Sequence, residues 1–310
     1  MSEDWPAVSI VVPTLNSKET IKSCLSSIMR QDYPKDNFDV IIVDGGSRDN
    51  TLDVVTECPA EIVIESRRGR GVTYNRGFQE AKGDYVAFLD SDAIAPTSWL
   101  SNAIRILRQD TQTAVVYFRN LAPPDSSYFQ KCVDTLLSKS WGQANGAVYR
   151  KSALNKIGGF NVSLRYLQED EAGIRLLRQG YNFRVVDKPA IWHYPRKSFK
   201  SYISQCVESG TGSFKLSLIV NRPYLFVRLF LRALVAIFPL LTIALLALFS
   251  PFAWIIVLGA ILGVTIYSIY LWHATSLEYR SVEYILPATF LMWISTLANL
   301  FGYVISLFED

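Results

Sequence analysis

Apolar residues follow two regimes along this chain. In the front part they form short runs and helical spacings, whereas after Arg222 they gather into long stretches. Val8-Ser9-Ile10-Val11-Val12 predicts a buried strand that stops at Pro13, and Ile21, Leu25 and Ile28 give Lys18 to Arg30 the spacing of a helix. Asn16 with Glu19 forms a capping-box pattern at its start. Val40 to Val43 and Glu61 to Ile64 predict two more strands. A helix is expected from about Val72 to Ala81, with Gly83 as a left-handed cap. The run Tyr85-Val86-Ala87-Phe88-Leu89 follows, apolar enough for a strand buried on both faces. Strand and helix alternate four times, the pattern of an α/β domain with a mostly parallel sheet and right-handed crossovers.

Beyond Arg222 the pattern changes the picture from one soluble domain to a membrane-anchored one. Leu229 to Phe249, Phe252 to Trp272 and Tyr284 to Phe308 each hold about 20 or more mainly apolar residues, enough to cross a hydrocarbon core. They predict about three transmembrane helices. Arg232, Pro239 and Asn299 within them leave re-entrant or interfacial segments as the alternative. Between Phe199 and Leu218 apolar residues alternate with Lys and Ser, and Gly210 and Gly212 interrupt, which predicts helical pieces on the bilayer surface. The expected organisation is a front domain over residues 1–196, interfacial helices over 197–228 and a transmembrane domain over 229–310.

Charge orients this arrangement. Lys197, Lys200, Lys215, Arg222 and Arg228 precede the first span and Ser250-Pro251 carries no charge, so the basic side faces the cytoplasm. Met1 to Pro6 is too short and acidic for a secretion signal, and the front domain is expected in the cytoplasm, on a multi-pass protein of the cell membrane. The net charge of +3 over 310 residues argues against nucleic acid as partner. Basic residues collect beside the membrane, where anionic or phosphorylated lipid fits better. Cys24, Cys58, Cys132 and Cys206 lack close pairing or zinc spacing and read as reduced thiols.

The candidate chemistry sits where strands end. Asp90 and Asp92 follow the buried run, one residue apart, so their side chains emerge together at the crevice outside the strand's carboxyl end. Two close carboxylates repel, and a hard divalent cation carrying phosphate oxygens relieves them; two exposed acids at a strand-loop junction are the plainer alternative. Asp44, beside Gly45 and Gly46, is placed to accept hydrogen bonds from a base or ribose, or belongs to an ordinary turn with Asn50 as cap. Arg67, Arg68 and Arg70 with two glycines ahead of a helix suit a diphosphate, or form a solvated basic loop. His193 ends the strand-like Pro189 to Trp192 and is either a third metal ligand or a packed structural histidine.

Taken in order, SIVVPTLN, VIIVDGGSRDNT, RGRGVTYNRGFQEAKGDYVAFLDSD, NGAVYRKSALNKIGGF and QEDEAGIRLLRQGY resemble the successive signatures of family 2 glycosyltransferases with the GT-A fold. The resemblance covers roughly Ala7 to Leu216. It implies a Rossmann-like catalytic domain and a nucleotide-diphosphate sugar as donor. It further implies Pro13 and Asp44 at the nucleotide, Arg70 and Asn75 along the diphosphate with Asp90 and Ser91 beside them, and Mg2+ or Mn2+ held by Asp90 and Asp92. Counting back from Arg175 puts the family's general base at Glu169, whereas the literal Glu-Asp pair puts it at Asp170. Gln205 to Ser209 lacks the Q-x-x-R-W of processive synthases.

The expected activity is inverting transfer of a sugar to a hydroxyl of a lipid-linked, polyprenyl-type or other membrane acceptor. A phosphate monoester is already ionised near neutral pH and needs no base, so the acidic pair favours a hydroxyl over the phosphate acceptor of a polyprenyl-phosphate sugar synthase. A non-catalytic membrane protein that binds nucleotide sugars is the third reading.

Overall fold

The computed structural model describes residues 5–65, 67, 69–137, 145–164, 166–220, 284–306 and 308, with isolated positions at 259, 262, 263 and 266. The chain divides into two compact units, residues 1–124 with 140–194, and residues 125–139 with 195–310.

The first unit is an eight-stranded sheet in the order β3-β2-β1-β4-β7-β6-β8-β5. Its parallel half comprises β1 (Val8–Thr14), β2 (Phe38–Asp44), β3 (Glu61–Ile64) and β4 (Tyr85–Phe88), all near the expected positions. Helices α1 (Ile21–Met29), α2 (Thr51–Val55) and α3 (Arg70–Glu80) connect them. β1 continues through Pro13, because the ladder to β4 stops at Val11 paired with Phe88 and no partner on that side needs the missing N–H.

The other half makes the sheet mixed. β7 (Val148–Arg150) runs against both β4 and β6 (Thr113–Leu121). β8 (Asn182–His193) runs parallel to β6, and the two-residue β5 (Ala93–Ile94) pairs antiparallel with its end. Helix α4 (Trp99–Gln109) buries Trp99, Leu100, Ala103, Ile104 and Leu107 on one face of the sheet, with the cluster around Val8, Ile10 and Ile42. Helices α6 (Lys151–Lys156) and α7 (Gln168–Arg178) cover the opposite face with Tyr74, Phe88, Tyr149 and Phe160.

Two local expectations are corrected. Gly83 is no left-handed cap: α3 ends at Glu80 with Ala81 as its C-cap, and a β-carbon at Gly83 would stand 2.7 Å from Ser9 N and 2.8 Å from Ala7 O. Glycine is needed there for close approach to β1. Asn16 does not cap α1, whose N-cap is Thr20; it adopts φ 51° and its side chain accepts from Arg48 N at 2.9 Å, joining two loops.

In the second unit α5 (Tyr128–Leu137), α8 (Phe199–Ile219) and α9 (Ile285–Ile305) share a core of Cys132, Val133, Tyr202, Cys206, Leu291 and Ala298. α8 is one continuous helix of 21 residues and not a set of pieces. Gly210 explains the difference: a β-carbon there would lie 2.0 Å from Asn299 O, and one at Gly302 would lie 2.0 Å from Val207 O. The glycines let two helix backbones meet, the device of tightly packed small-residue helix pairs. Among the described residues one stretch, Pro287–Ile305, is long and apolar enough to cross a membrane. The expected spans Leu229 to Phe249 and Phe252 to Trp272 lie outside the described residues.

Candidate functional site

The carboxyl end of β4 delivers the acidic pair, as Phe88 leads through the buried Leu89 to Asp90 and Asp92. What places His193 beside them is pairing between the shortest strand and the longest: Ala93 of β5 sits opposite His193 of β8. His193 Nε2 thereby comes to 3.3 Å from Asp92 Oδ1. Asp90, Asp92 and His193 offer three ligand atoms, all within 4.8 Å of one another. Two carboxylate oxygens and an imidazole nitrogen form a donor set that suits a divalent cation with affinity for both O and N.

The two aspartates are not equivalent. Asp90 has a side chain 9% exposed, with Tyr74 Oη donating to its Oδ1 at 3.2 Å and Arg70 Nη2 lying 3.4 Å from its Oδ2. Its backbone N donates to Asn145 Oδ1 at 3.0 Å, and Asn145 in turn donates to Asn120 Oδ1. Asp92 is 39% exposed and meets the imidazole. Burial alone would lower the pKa of His193, but the charges of Asp92 and then Asp90 outweigh it and hold the imidazolium above its ordinary value. A cation and that proton compete for the same atoms.

A second acidic group lies at the start of α7. Leu167 precedes it at φ 63°, a left-handed conformation that bulky residues rarely adopt and that turns the chain sharply into the helix. Gln168, Glu169 and Glu171 are buried there. Glu171 is tied to Arg175 by contacts of 2.6 and 2.8 Å, and Arg175 also donates to the carbonyls of Ile157 and Gly159, holding the α6–α7 loop. Burial, and then the charge of Glu169, push Asp170 up to about 7. The charge of Glu169 is also felt at Arg70 and Tyr74, the two partners of Asp90. Glu169 therefore stands electrically next to the first cluster, whereas Asp170 exchanges its proton near neutral pH.

The remaining candidates are placed as follows. Asp44 is buried and accepts from Gly46 N and Ser47 N at 2.9 Å, so its carboxylate shapes its own turn. Asn50 stands at the N-cap of α2 without a side-chain cap bond. Pro13 lies one register position before Thr14, which pairs with Asp44. Ser91 Oγ is 2.7 Å from Ser17 Oγ. Asn75 does not join the cluster: its amide donates to Phe160 O and accepts from Phe160 N, both at 2.8 Å, and so clamps α3 to the loop after α6. Arg67 is engaged by Glu65 at 2.8 Å and leaves Arg70 as the described arginine of the basic loop that reaches the acidic cluster. Tyr74 and Asn145 were not singled out from sequence. Asn145 opens the NGAVYR run, and Tyr74 lies four residues after Arg70, one helical turn on the same face.

Comparison with known proteins bears on the family and the fold. A model of the family described as Glycosyl transferase family 2 matches residues 9–170. The dolichyl N-acetyl-alpha-D-glucosaminyl phosphate 3-beta-D-2,3-diacetamido-2,3-dideoxy-beta-D-glucuronosyltransferase of Methanococcus voltae is 24% identical over 247 residues, covering 70% of this chain and 75% of that protein. Glycosyltransferase AglE of Haloferax volcanii is 33% identical over 110 residues, 34% of this chain and 36% of that protein. Among solved structures, the mannosyltransferase PcManGT from Pyrobaculum calidifontis in complex with GDP-Man and Mn2+ superposes with a TM-score of 0.65 at 20% identity, over 99% of this chain and 89% of that one. Residues 1–349 of S. aureus TarS in complex with UDP give a TM-score of 0.52 at 20% identity, over 70% of this chain and 72% of that one. At such identities the likeness concerns the fold, an α/β GT-A fold with a mixed sheet.

Proposed function

The chain belongs to glycosyl transferase family 2, and from that premise we propose that it is a membrane-bound, metal-dependent, inverting enzyme that moves a sugar from a nucleotide-sugar donor to a hydroxyl of a lipid-linked acceptor. The observation that carries the reading is the meeting of Asp90, Asp92 and His193 within 4.8 Å at the strand end. These residues would hold a divalent cation, which when bound neutralises the donor diphosphate and its developing charge as leaving group. The imidazole nitrogen favours Mn2+ over Mg2+, which prefers oxygen alone.

Around that cation the chain's own residues divide the work. Arg70, already against Asp90, is the guanidinium placed to turn toward diphosphate oxygens. A carboxylate of the α7 turn accepts the proton of the acceptor hydroxyl as its oxygen attacks C1 of the sugar. The C1–O bond to the diphosphate breaks as the new bond forms from the opposite face, so the configuration inverts and nucleoside diphosphate leaves. Asp170, pushed up to about 7, has the proton affinity a base needs near neutral pH. Glu169, whose charge reaches Arg70, has the better claim by position.

The lipid acceptor rests on the candidate membrane helix Pro287–Ile305, on the two apolar stretches before it, and on the printed name of the Methanococcus voltae relative, which acts on a dolichyl-linked sugar phosphate. Several spans would place the protein in the cell membrane with the catalytic unit in the cytoplasm. The test is incubation of the full chain in native lipid extract with a panel of nucleotide sugars and Mn2+, followed by mass analysis. A lipid heavier by one sugar residue supports the reading. Donor binding without transfer to any lipid contradicts it and favours a non-catalytic nucleotide-sugar binder.

A further inference from the structure

Strand β6 carries a cation that the fold does not neutralise. Arg76, Arg150 and Arg175, the other part-buried arginines among the described residues, are each held: Arg76 by Glu80 at 2.7 Å, Arg175 by Glu171 at 2.6 Å, and Arg150 by the carbonyls of Leu107 and Asp110 at the end of α4. Arg119 is part-buried as well. Its Nε is shut off from solvent with no hydrogen-bond partner, and its guanidinium forms no ion pair among the described residues. A charged group drawn out of water without a partner is costly, and folded proteins otherwise pair such groups.

The sheet places this cation on the side of the reaction. β6 runs against β7 and β7 against β4, so β6 and β4 point the same way and end at the same edge, where Asp90 emerges. Alternation puts Arg119 on the face of Tyr117, whose hydroxyl lies 3.4 Å from where a β-carbon on Gly173 of α7 would stand. Two residues beyond Tyr117, Arg119 lies about 6–7 Å nearer that edge. The acidic first turn of α7 faces the same way. Burial raises the Tyr117 hydroxyl and the charges of Asp170 and Glu169 raise it further, while Glu169 is also felt at Arg70 and Tyr74 beside Asp90. A second polar group on this face is unsatisfied too. Gln168 is fully buried with neither amide atom paired among the described residues, and helical spacing sets it in line with Ala172 and Leu176, which pack on the sheet.

We propose that Arg119 binds the phosphate that joins the acceptor to its lipid. The inference rests on the inverting transfer to a lipid-linked hydroxyl proposed above. In that reaction the acceptor oxygen attacks C1 from the face opposite the leaving diphosphate, so the two anionic groups approach from opposite sides. Arg70, against Asp90, stands on the side of the leaving group. Arg119 stands on the side of α7, whose first turn carries the proton acceptor of the proposed reaction. A guanidinium presents a planar fork of N–H donors matched to two phosphate oxygens, and an acceptor phosphate supplies the negative charge that the fold withholds from Arg119.

Calorimetric titration of the full chain tests this with geranyl phosphate in EDTA, beside geraniol, which has the chain without the anion, and inorganic phosphate, which has the anion without the chain. UDP and GDP with Mn2+ report the donor site separately. The variants are Arg119→Met, Arg119→Gln and Arg119→Lys. Geranyl phosphate is expected to bind saturably and more tightly than either fragment. Its affinity should weaken about tenfold or more in Arg119→Met and Arg119→Gln, the scale of one lost charge-assisted contact, and be partly kept in Arg119→Lys. Nucleotide affinity should not change. A parallel loss of nucleotide affinity gives Arg119 to the donor diphosphate and overturns the proposal. So does inorganic phosphate that binds as tightly as geranyl phosphate, no saturable binding of geranyl phosphate, or an affinity indifferent to Arg119. Because the guanidinium has no partner in the fold, Arg119→Met and Arg119→Gln should melt at or above the wild-type temperature; lower melting of both marks a structural role and counts against the proposal. If geranyl phosphate binds through Arg119 while no lipid gains a sugar, the anion site stands and the transfer reaction falls.

Discussion

Two acidic clusters in the same unit meet opposite fates. At the end of β4, Asp90 lies against Arg70 and Tyr74 and Asp92 against His193, so cationic and donor groups face both carboxylates. In the first turn of α7, burial and the charge of Glu169 act on Asp170 in the other direction and push it up to about 7. On the proposed reading, the pair of aspartates would take a cation and one carboxylate of the α7 turn would take a proton. The difference lies in surroundings and not in residue type, which is why a count of acids in the sequence does not separate the roles.

The strongest way to break this contrast is to remove the proton acceptor. Either Glu169→Gln or Asp170→Asn is expected to slow single-turnover transfer by about 10² to 10⁴ with donor affinity retained, the usual size of general-base help. The other substitution should change the rate far less. If both variants transfer normally, the acceptor is a phosphate and not a hydroxyl.

The pH dependence sharpens the choice between the two. With Asp170 as base, transfer should rise about tenfold per pH unit below the inflection near 7 and level off above it, since the deprotonated carboxylate is the active form. Glu169→Gln removes the second largest cause of the shift, so the inflection should move down while burial keeps it above the ordinary aspartate value. An inflection well below 7 in the wild type points to Glu169.

A smaller effect concerns stability. Because the folded pKa of Asp170 is raised from 3.8 to about 7, the folded state binds the proton more tightly than the unfolded one, so stability falls as pH rises through that interval. Asp170→Asn should therefore stabilise the fold at pH 8 by ~1–2 kcal/mol, after discount for partial solvent access, and leave it little changed at pH 4. Thermal melts at the two pH values measure this, and equal shifts at both would contradict it.

The same contrast separates what the sequence discloses from what it hides. The four parallel strands and the Asp90–Asp92 pair were legible because a run of apolar residues ending in carboxylates has one economical reading. His193 was a candidate by position, but its contact with Asp92 depends on the two-residue β5, too short for any periodicity to reveal. The sheet's mixed character followed from β6 and β7, apolar runs whose direction no local pattern encodes. Asn75 illustrates the limit of motif reasoning: it stands where a diphosphate contact is expected, yet its amide is engaged on both sides by Phe160, 85 residues away. Asp44 likewise shapes its own turn. Polar groups are assigned by which backbone they meet, and that depends on tertiary packing.

The central claim, that one cluster takes the cation and the other the proton, is tested most directly by calorimetric titration of UDP and GDP with Mn2+ and with EDTA, on the wild type, Asp92→Asn, Glu169→Gln and Asp170→Asn side by side. The account predicts cation-dependent affinity in the wild type and in both α7 variants, and its loss by at least about tenfold in Asp92→Asn, the scale on which metal sites respond to altered coordination. Cation-dependent affinity that survives in Asp92→Asn, or that falls equally in the α7 variants, would contradict it.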